Sequence, residues 1–339
     1  MRGQPNSTDD AAWVIGVDLG GTKTEVAALE VSALASDDLP VARYRRRAPT
    51  PQGDYARTVG LIAELVAEAR TAAGGALVKG VGLGTPGAVS RRDGRIKNSN
   101  SQVLNGRPLL ADVQALVELP VLIANDANCF ALAEATYGAG RGAEVVAGII
   151  LGTGMGGGIV VRGQVHEGPQ GIAGEWGHLA LDPRGPACPC GQRGCLETFL
   201  SGSGMERRYR ETTGRTLRAQ TIWAAAEDPS HPEHHLAVLA CNDYLAWFGR
   251  GIASILNGLD PDVIVLGGGL SQVSRLYRDG PARVRAHLFS DELTTPIRPP
   301  LLGDAAGVFG AALLAARAPG VRAGAQGSEP RSFRSRNEK

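Results

Sequence analysis

A strand, a glycine-rich turn and a second strand occur twice in this chain, and that repetition limits its fold more than any other feature. The first copy runs from Trp13 to Leu19, turns at Gly20-Gly21-Thr22-Lys23 and returns from Thr24 to Leu29. The second rises from Val145 to Leu151, passes through the glycines from Gly152 to Gly158 and continues from Ile159 to Arg162. Two β-rich runs joined by a tight polar turn make a hairpin. The same unit returning about 135 residues later predicts two similar α/β domains facing one cleft. Further strands are expected at Lys79–Gly84, Pro120–Ala124 and Asp262–Leu266. Val59, Ile62, Leu65, Val66 and Ala69 fall at helical spacing, which predicts an amphipathic helix over Thr58–Ala73. Asp126 to Tyr137 also reads as helix. The chain then divides into a loose tail (1–12), a smaller domain (13–124) completed by a helix near 305–317, a larger domain (125–304) and a second loose tail (318–339).

Charge narrows the partners. Lys plus Arg number 35 against 34 Asp plus Glu, a net charge of +1, so nothing favours nucleic acid or an anionic membrane. No run of about twenty apolar residues is present to span a bilayer. The polar opening dozen residues lack the apolar centre of a secretory signal, so a cytoplasmic location is expected. Disulfides are disfavoured there.

Backbone N–H groups exposed by glycine turns suit phosphate. At the first turn Asp18 could hold Mg²⁺ while Thr22 and Lys23 hold phosphate oxygens, although a plain hairpin turn would use the same residues. Gly16 to Thr24 misses the Walker spacing because Thr22 separates Gly21 from Lys23. Gly82–Gly87 and Gly152–Gly157 both match G-x-G-x-x-G. Neither opens a helix within a βαβ unit, so a dinucleotide site is excluded by context. Asn125-Asp126 lies where a buried strand ends and a helix begins. Asp126 there is either a general base or a helix N-cap.

Cys188, Cys190 and Cys195 fall within eight residues, with His178 ten residues upstream of the first. Three thiolates and an imidazole form the closed set of a structural zinc site. Such a knot would hold the flanking Glu175 and Glu197 in fixed positions, as recognition of sugar hydroxyls requires. Cys129 and Cys241 read as ordinary buried thiols.

These pieces together resemble the ROK family (repressor, open reading frame, kinase) of bacterial sugar kinases and sugar-responsive regulators. The resemblance rests on VDLGGTKTEVAAL from Val17, GLGTPGAV from Gly82, ANDANCFALAEA from Ala124, GTGMGGGIV, GIAGEWGHLALD, CPCGQRGCLETFLSG and LDPDVIVLGGGLS. It implies an actin-like (ribonuclease H-like) two-domain fold with an interdomain cleft, and usually a homodimer or homotetramer. It implies that Asp126 is the catalytic base toward a hexose primary hydroxyl. Asn125, Glu175, His178 and Glu197 would bind the sugar, with Gly87 and Asn105 beside it. Asp18 would serve Mg²⁺ and the ATP phosphates. Gly20, Gly21, Thr22 and Lys23, with Gly152, Thr153 and Gly154, would hold phosphates, and Gly267, Gly268 and Gly269 would lie near adenosine. His178, Cys188, Cys190 and Cys195 would ligate zinc.

The opening GGTKTEVAAL, the Lys97–Ser101 loop with Leu104-Asn105-Gly106, and Trp176 are most similar to bacterial fructokinases with mannokinase activity. Fructose going to fructose 6-phosphate is therefore the expected reaction, with N-acetylglucosamine kinase or glucokinase as alternatives. The short connection between His178 and Cys188 departs from the fructokinase pattern and resembles other branches. A sugar-sensing regulator is the alternative of another class. About a dozen residues before the first strand are too few for a helix-turn-helix, which favours the enzyme.

Overall fold

The computed structural model of the chain describes residues 12–36 and 38–318. In the first lobe the strands are β1 (Trp13–Leu19), β2 (Lys23–Glu30), β3 (Tyr44–Pro49), β4 (Val78–Thr85), the two-residue ribbon strands β5 (Ala88–Val89) and β6 (Ile96–Lys97), and β7 (Val121–Asn125). The second lobe holds β8 (Val145–Leu151), β9 (Met155–Val161), β10 (Gln164–Val165), β11 (Val263–Gly267) and β12 (Ile297–Arg298). Five strands of each lobe form a sheet, ordered β3-β2-β1-β4-β7 and β10-β9-β8-β11-β12. In both, the first three strands in sequence pair antiparallel and the last two join in parallel. The repeat seen in the hairpins therefore extends to the whole sheet, and the architecture is the actin-like one.

Alternation along β1 assigns its two faces. Ile15, Val17 and Leu19 pack with Val59, Ile62, Leu65, Val66 and Ala69 of the helix Tyr55–Ala72. Asp54 caps that helix, accepting from Arg57 N at 3.0 Å. Val14, on the other face, joins a core shared with Phe130, Val146, Val265 and Val308. Two helices carry this shared core, Asp126–Tyr137 and Ala306–Ala316. The second lies so close on β4 that a Cβ on Gly82 would stand 1.8 Å from the carbonyl oxygen of Ala311. A third core fills the second lobe around the long helix His234–Leu259.

One boundary differs from the sequence reading. Gly156, Gly157 and Gly158 were grouped with the turn, but β9 already begins at Met155. These glycines leave space for other parts of the chain rather than bend it. A Cβ on Gly157 would meet the Trp176 ring at 2.1 Å, and one on Gly158 the Ala127 carbonyl at 2.7 Å. The expected tails fall outside the described residues except at Ala12 and Ala318, which are both buried.

Candidate active site

At the end of β7 the chain turns into the helix Asp126–Tyr137, and the two possible roles of Asp126 separate here. Asn125 is extended (φ −61°, ψ 144°) and caps the helix, its Oδ1 accepting from Ala127 N at 2.9 Å. Its Nδ2 donates to the Gly87 carbonyl at 3.0 Å, tying the strand end to the neighbouring loop. Asp126 is the first helical residue, and its Oδ1 accepts from the same Ala127 N at 2.8 Å. Burial pushes its carboxyl up to about 6, with the Glu175 carboxylate adding to the effect.

Asp126 stands on the floor of a cleft of about 840 Å³. Glu175, His178 and Glu197 line one wall, Gly87, Lys97 and Asn105 the other, and Gly152 to Gly157 lie between. Asn105 acts chiefly on its own loop: Oδ1 accepts from Ser99 N and Nδ2 donates to Ser99 O, both at 2.9 Å. Glu197 joins two elements, its Oε2 accepting from Met155 N at 3.0 Å just after the second glycine turn. Burial raises the Glu175 carboxyl, the more so beside Glu197, against the pull of His178 and Lys97.

The ligand atoms of His178, Cys188, Cys190 and Cys195 all lie within 4.8 Å of one another. Cys190 Sγ to Cys195 Sγ is 3.7 Å, and Cys188 Sγ to His178 Nδ1 is 3.7 Å. A tetrahedron with metal–sulfur bonds of about 2.3 Å has edges of about 3.8 Å, so the four donors fit one ion. His178 then directs Nε2 away from the thiolates, 4.0 Å from Glu175 Oε2.

Asp18 is the next-to-last residue of β1, and neither it nor the turn Gly20–Lys23 lines this cleft. A Cβ on Gly307, at the start of the helix Ala306–Ala316, would meet its Oδ2 at 2.4 Å. Burial, with Asp126 and Glu25 adding their charge, pushes Asp18 up to about 7. Gly20 to Lys23 form the first turn, closed by Gly20 N donating to Lys23 O at 2.9 Å. The Lys23 ammonium turns outward to Asp304, at 3.1 Å.

Behind the second glycine turn lies another pocket, of about 490 Å³. Gly152 and Thr153 line both cavities and so join them. Gly269 borders this pocket, whereas Gly268 packs under the turn, its Cβ position 2.6 Å from the Leu151 carbonyl. Gly267 abuts the Phe130 ring. Ser203, Glu206, Arg218 and Gln220 supply polar side chains to the pocket, and the sequence reading missed all four. They come from two helices with no motif between them. In the larger cleft it named Lys97 only as part of a resembling loop.

Two actin-like lobes, a carboxylate at the cleft floor, facing carboxylates and glycine turns leading to a second pocket define the architecture of a sugar kinase. Residues 14–318 match the model of the ROK family, and the chain belongs to that family. An N-acetyl-D-glucosamine kinase of Yersinia pseudotuberculosis serotype IB (strain PB1/+) is 39% identical over 316 residues, covering 88% of this chain and 97% of that protein. A ROK hexokinase from Thermus thermophilus superposes with a TM-score of 0.77 at 33% identity, over 89% of this chain and 97% of the other. A ROK family glucokinase from Streptomyces griseus, solved with glucose and AMPPNP, gives 0.73 at 29% identity, over 90% and 100%.

Proposed function

We propose that this protein is an ATP-dependent kinase that phosphorylates the primary hydroxyl of N-acetylglucosamine. The observation that carries the reading is Asp126: the capping duty falls to Asn125, so a half-buried carboxylate is left facing the joined cavities. With its carboxyl pushed up to about 6, Asp126 is ionised at neutral pH yet basic enough to accept the hydroxyl proton as the oxygen attacks phosphorus. Glu175, Glu197 and Asn125 accept from or donate to the other sugar hydroxyls and orient the ring. In the second glycine turn Gly152 N donates to Gly154 O at 3.0 Å, which leaves Thr153 and Gly154 to offer N–H groups to the phosphates. Mg²⁺, when bound with ATP, would neutralise phosphate charge, and Asp18 would be the carboxylate that holds it.

The donor set of His178, Cys188, Cys190 and Cys195 suits structural zinc, which would pin the wall carrying Glu175 and Glu197. Support for N-acetylglucosamine over the fructose expected from the sequence comes from the similar Yersinia enzyme. The short His178–Cys188 connection agrees with it.

A coupled ADP-release assay with Mg-ATP against N-acetylglucosamine, fructose, mannose and glucose tests the reading. The highest kcat/KM is expected for N-acetylglucosamine. A higher value for fructose would return the assignment to the fructokinase branch. Silence with all four sugars, from folded protein, would remove the kinase reading.

A further inference from the structure

The pocket behind the second glycine turn contains one acidic residue, Glu206, among its lining groups. We propose that Glu206 reads the ribose of the nucleotide, so that the enzyme distinguishes ribonucleotides from deoxyribonucleotides. The inference rests on the kinase reading for the presence of a nucleotide, and on geometry of its own for the contact.

Orientation comes first. Among the described residues, Gly152 and Thr153 are the two shared by both cavities, so a phosphate chain passing from one to the other crosses them. The helix Gly202–Thr213 starts against that turn: Gly202 N donates to Gly152 O at 2.7 Å and Ser203 Oγ to Thr153 O at 2.7 Å. Its N-terminal end therefore faces the phosphates, the favourable polarity for anions. Glu206 follows Ser203 by three residues, about 4.5 Å further along the axis. A ribose is the next unit of the nucleotide at that distance.

The carboxylate is also preset. Oε1 accepts from Ala219 N at 3.1 Å, and Oε2 lies 3.4 Å from Arg218 Nη1. The Glu206 side chain is only 27% exposed, so its position is fixed by packing as well as by these bonds. Each carboxylate oxygen has two acceptor sites, and these contacts occupy one apiece. The remaining two can accept from the two adjacent hydroxyls of a ribose. Bonds from neutral hydroxyls to a carboxylate are stronger than bonds between neutral groups.

The experiment compares binding of Mg-ATP and Mg-2′-deoxy-ATP to wild-type and Glu206→Gln protein by calorimetry, with melting curves of both. Glutamine retains an acceptor for Ala219 N, so the fold should persist. Wild-type protein is expected to prefer ATP by about tenfold or more, as buried acceptors left unpaired by a missing hydroxyl require. In Glu206→Gln that preference should fall to within about threefold. Equal wild-type affinity for the two nucleotides overturns the proposal. So does an unchanged preference in the variant, or an equal loss for both nucleotides, which would mark Glu206 as structural. Failure to bind either nucleotide overturns both this inference and the kinase reading. Selective binding without sugar turnover would remove the kinase reading alone.

Discussion

At the scale of single residues, Asp126, the proposed base, carries a cost. A carboxyl held at about 6 in the folded state, against 3.8 for the free group, binds more protons folded than unfolded between those values. Its ionisation therefore lowers stability as pH rises through that window, and the deficit persists above about 6. One pKa unit corresponds to about 1.4 kcal/mol, which sets a ceiling of about 3 kcal/mol; partial access to solvent in the cleft reduces it. Asp126→Asn is expected to melt higher than wild type at pH 8, with the gain disappearing by pH 4. The same variant should lose about 10²- to 10⁴-fold in kcat while binding sugar nearly as well. Wild-type kcat/KM should fall about tenfold per pH unit below about 6, as the base becomes protonated. A variant that melts lower at pH 8, or that keeps a tenth of the activity, would contradict this account. Sequence alone left Asp126 between base and cap because Asn and Asp are both good caps. The extended backbone of Asn125 makes that residue the cap, and no residue type reports that dihedral.

Among the elements, the loop from Glu175 to Glu197 shows what is legible in a sequence and what is not. Its donors were readable because closely spaced thiolates with one imidazole have few other uses in a chain. The strand ends were readable too, since Asp18, Asn125 and Gly152 follow apolar runs bounded by turn residues. The nucleoside pocket was not, because Glu206, Arg218 and Gly269 meet only when two helices and β11 converge. Nor was the pairing of Lys23 with Asp304, which crosses 281 positions of sequence. For the loop itself, one zinc per chain is expected by elemental analysis, and Cys190→Ser should lose it. Because the loop carries Glu175 and Glu197 but borders the nucleoside pocket nowhere, KM for sugar should rise by more than KM for ATP. Metal-free protein with unaltered sugar affinity and melting temperature would show that the four donors hold no structural ion.

On the scale of the whole molecule, the two cavities differ in which lobe builds them. Among the described residues, the proposed nucleoside pocket is lined by residues from Leu151 to Leu270, all from the second lobe. The sugar cleft takes Lys97, Gln102 and Asn105 from the first lobe and Glu175 and Glu197 from the second. At its rim the lobes already touch, with Arg91 and Glu167 3.3 Å apart and Lys97 Nζ donating to Gln170 O at 3.5 Å. A ligand shifts a conformational equilibrium only by its difference in affinity for the two states. A sugar contacting both walls binds the closed state better, whereas a nucleoside held by one lobe binds open and closed alike. The packed pair of helices Asp126–Tyr137 and Ala306–Ala316 is the natural pivot, since each lies against a different sheet and a Cβ on Gly310 would come within 1.9 Å of Cys129 O. Sugar alone should therefore reduce the radius of gyration measured by X-ray scattering, and adenosine alone, which has no phosphates for the first-lobe turn to hold, should not. A non-hydrolysable ATP analogue and sugar together should compact the protein further, as the first turn at Gly20–Thr22 comes down on the phosphates and water is excluded. Full compaction by the analogue without sugar would mean that the phosphate turns, and not the sugar walls, drive closure.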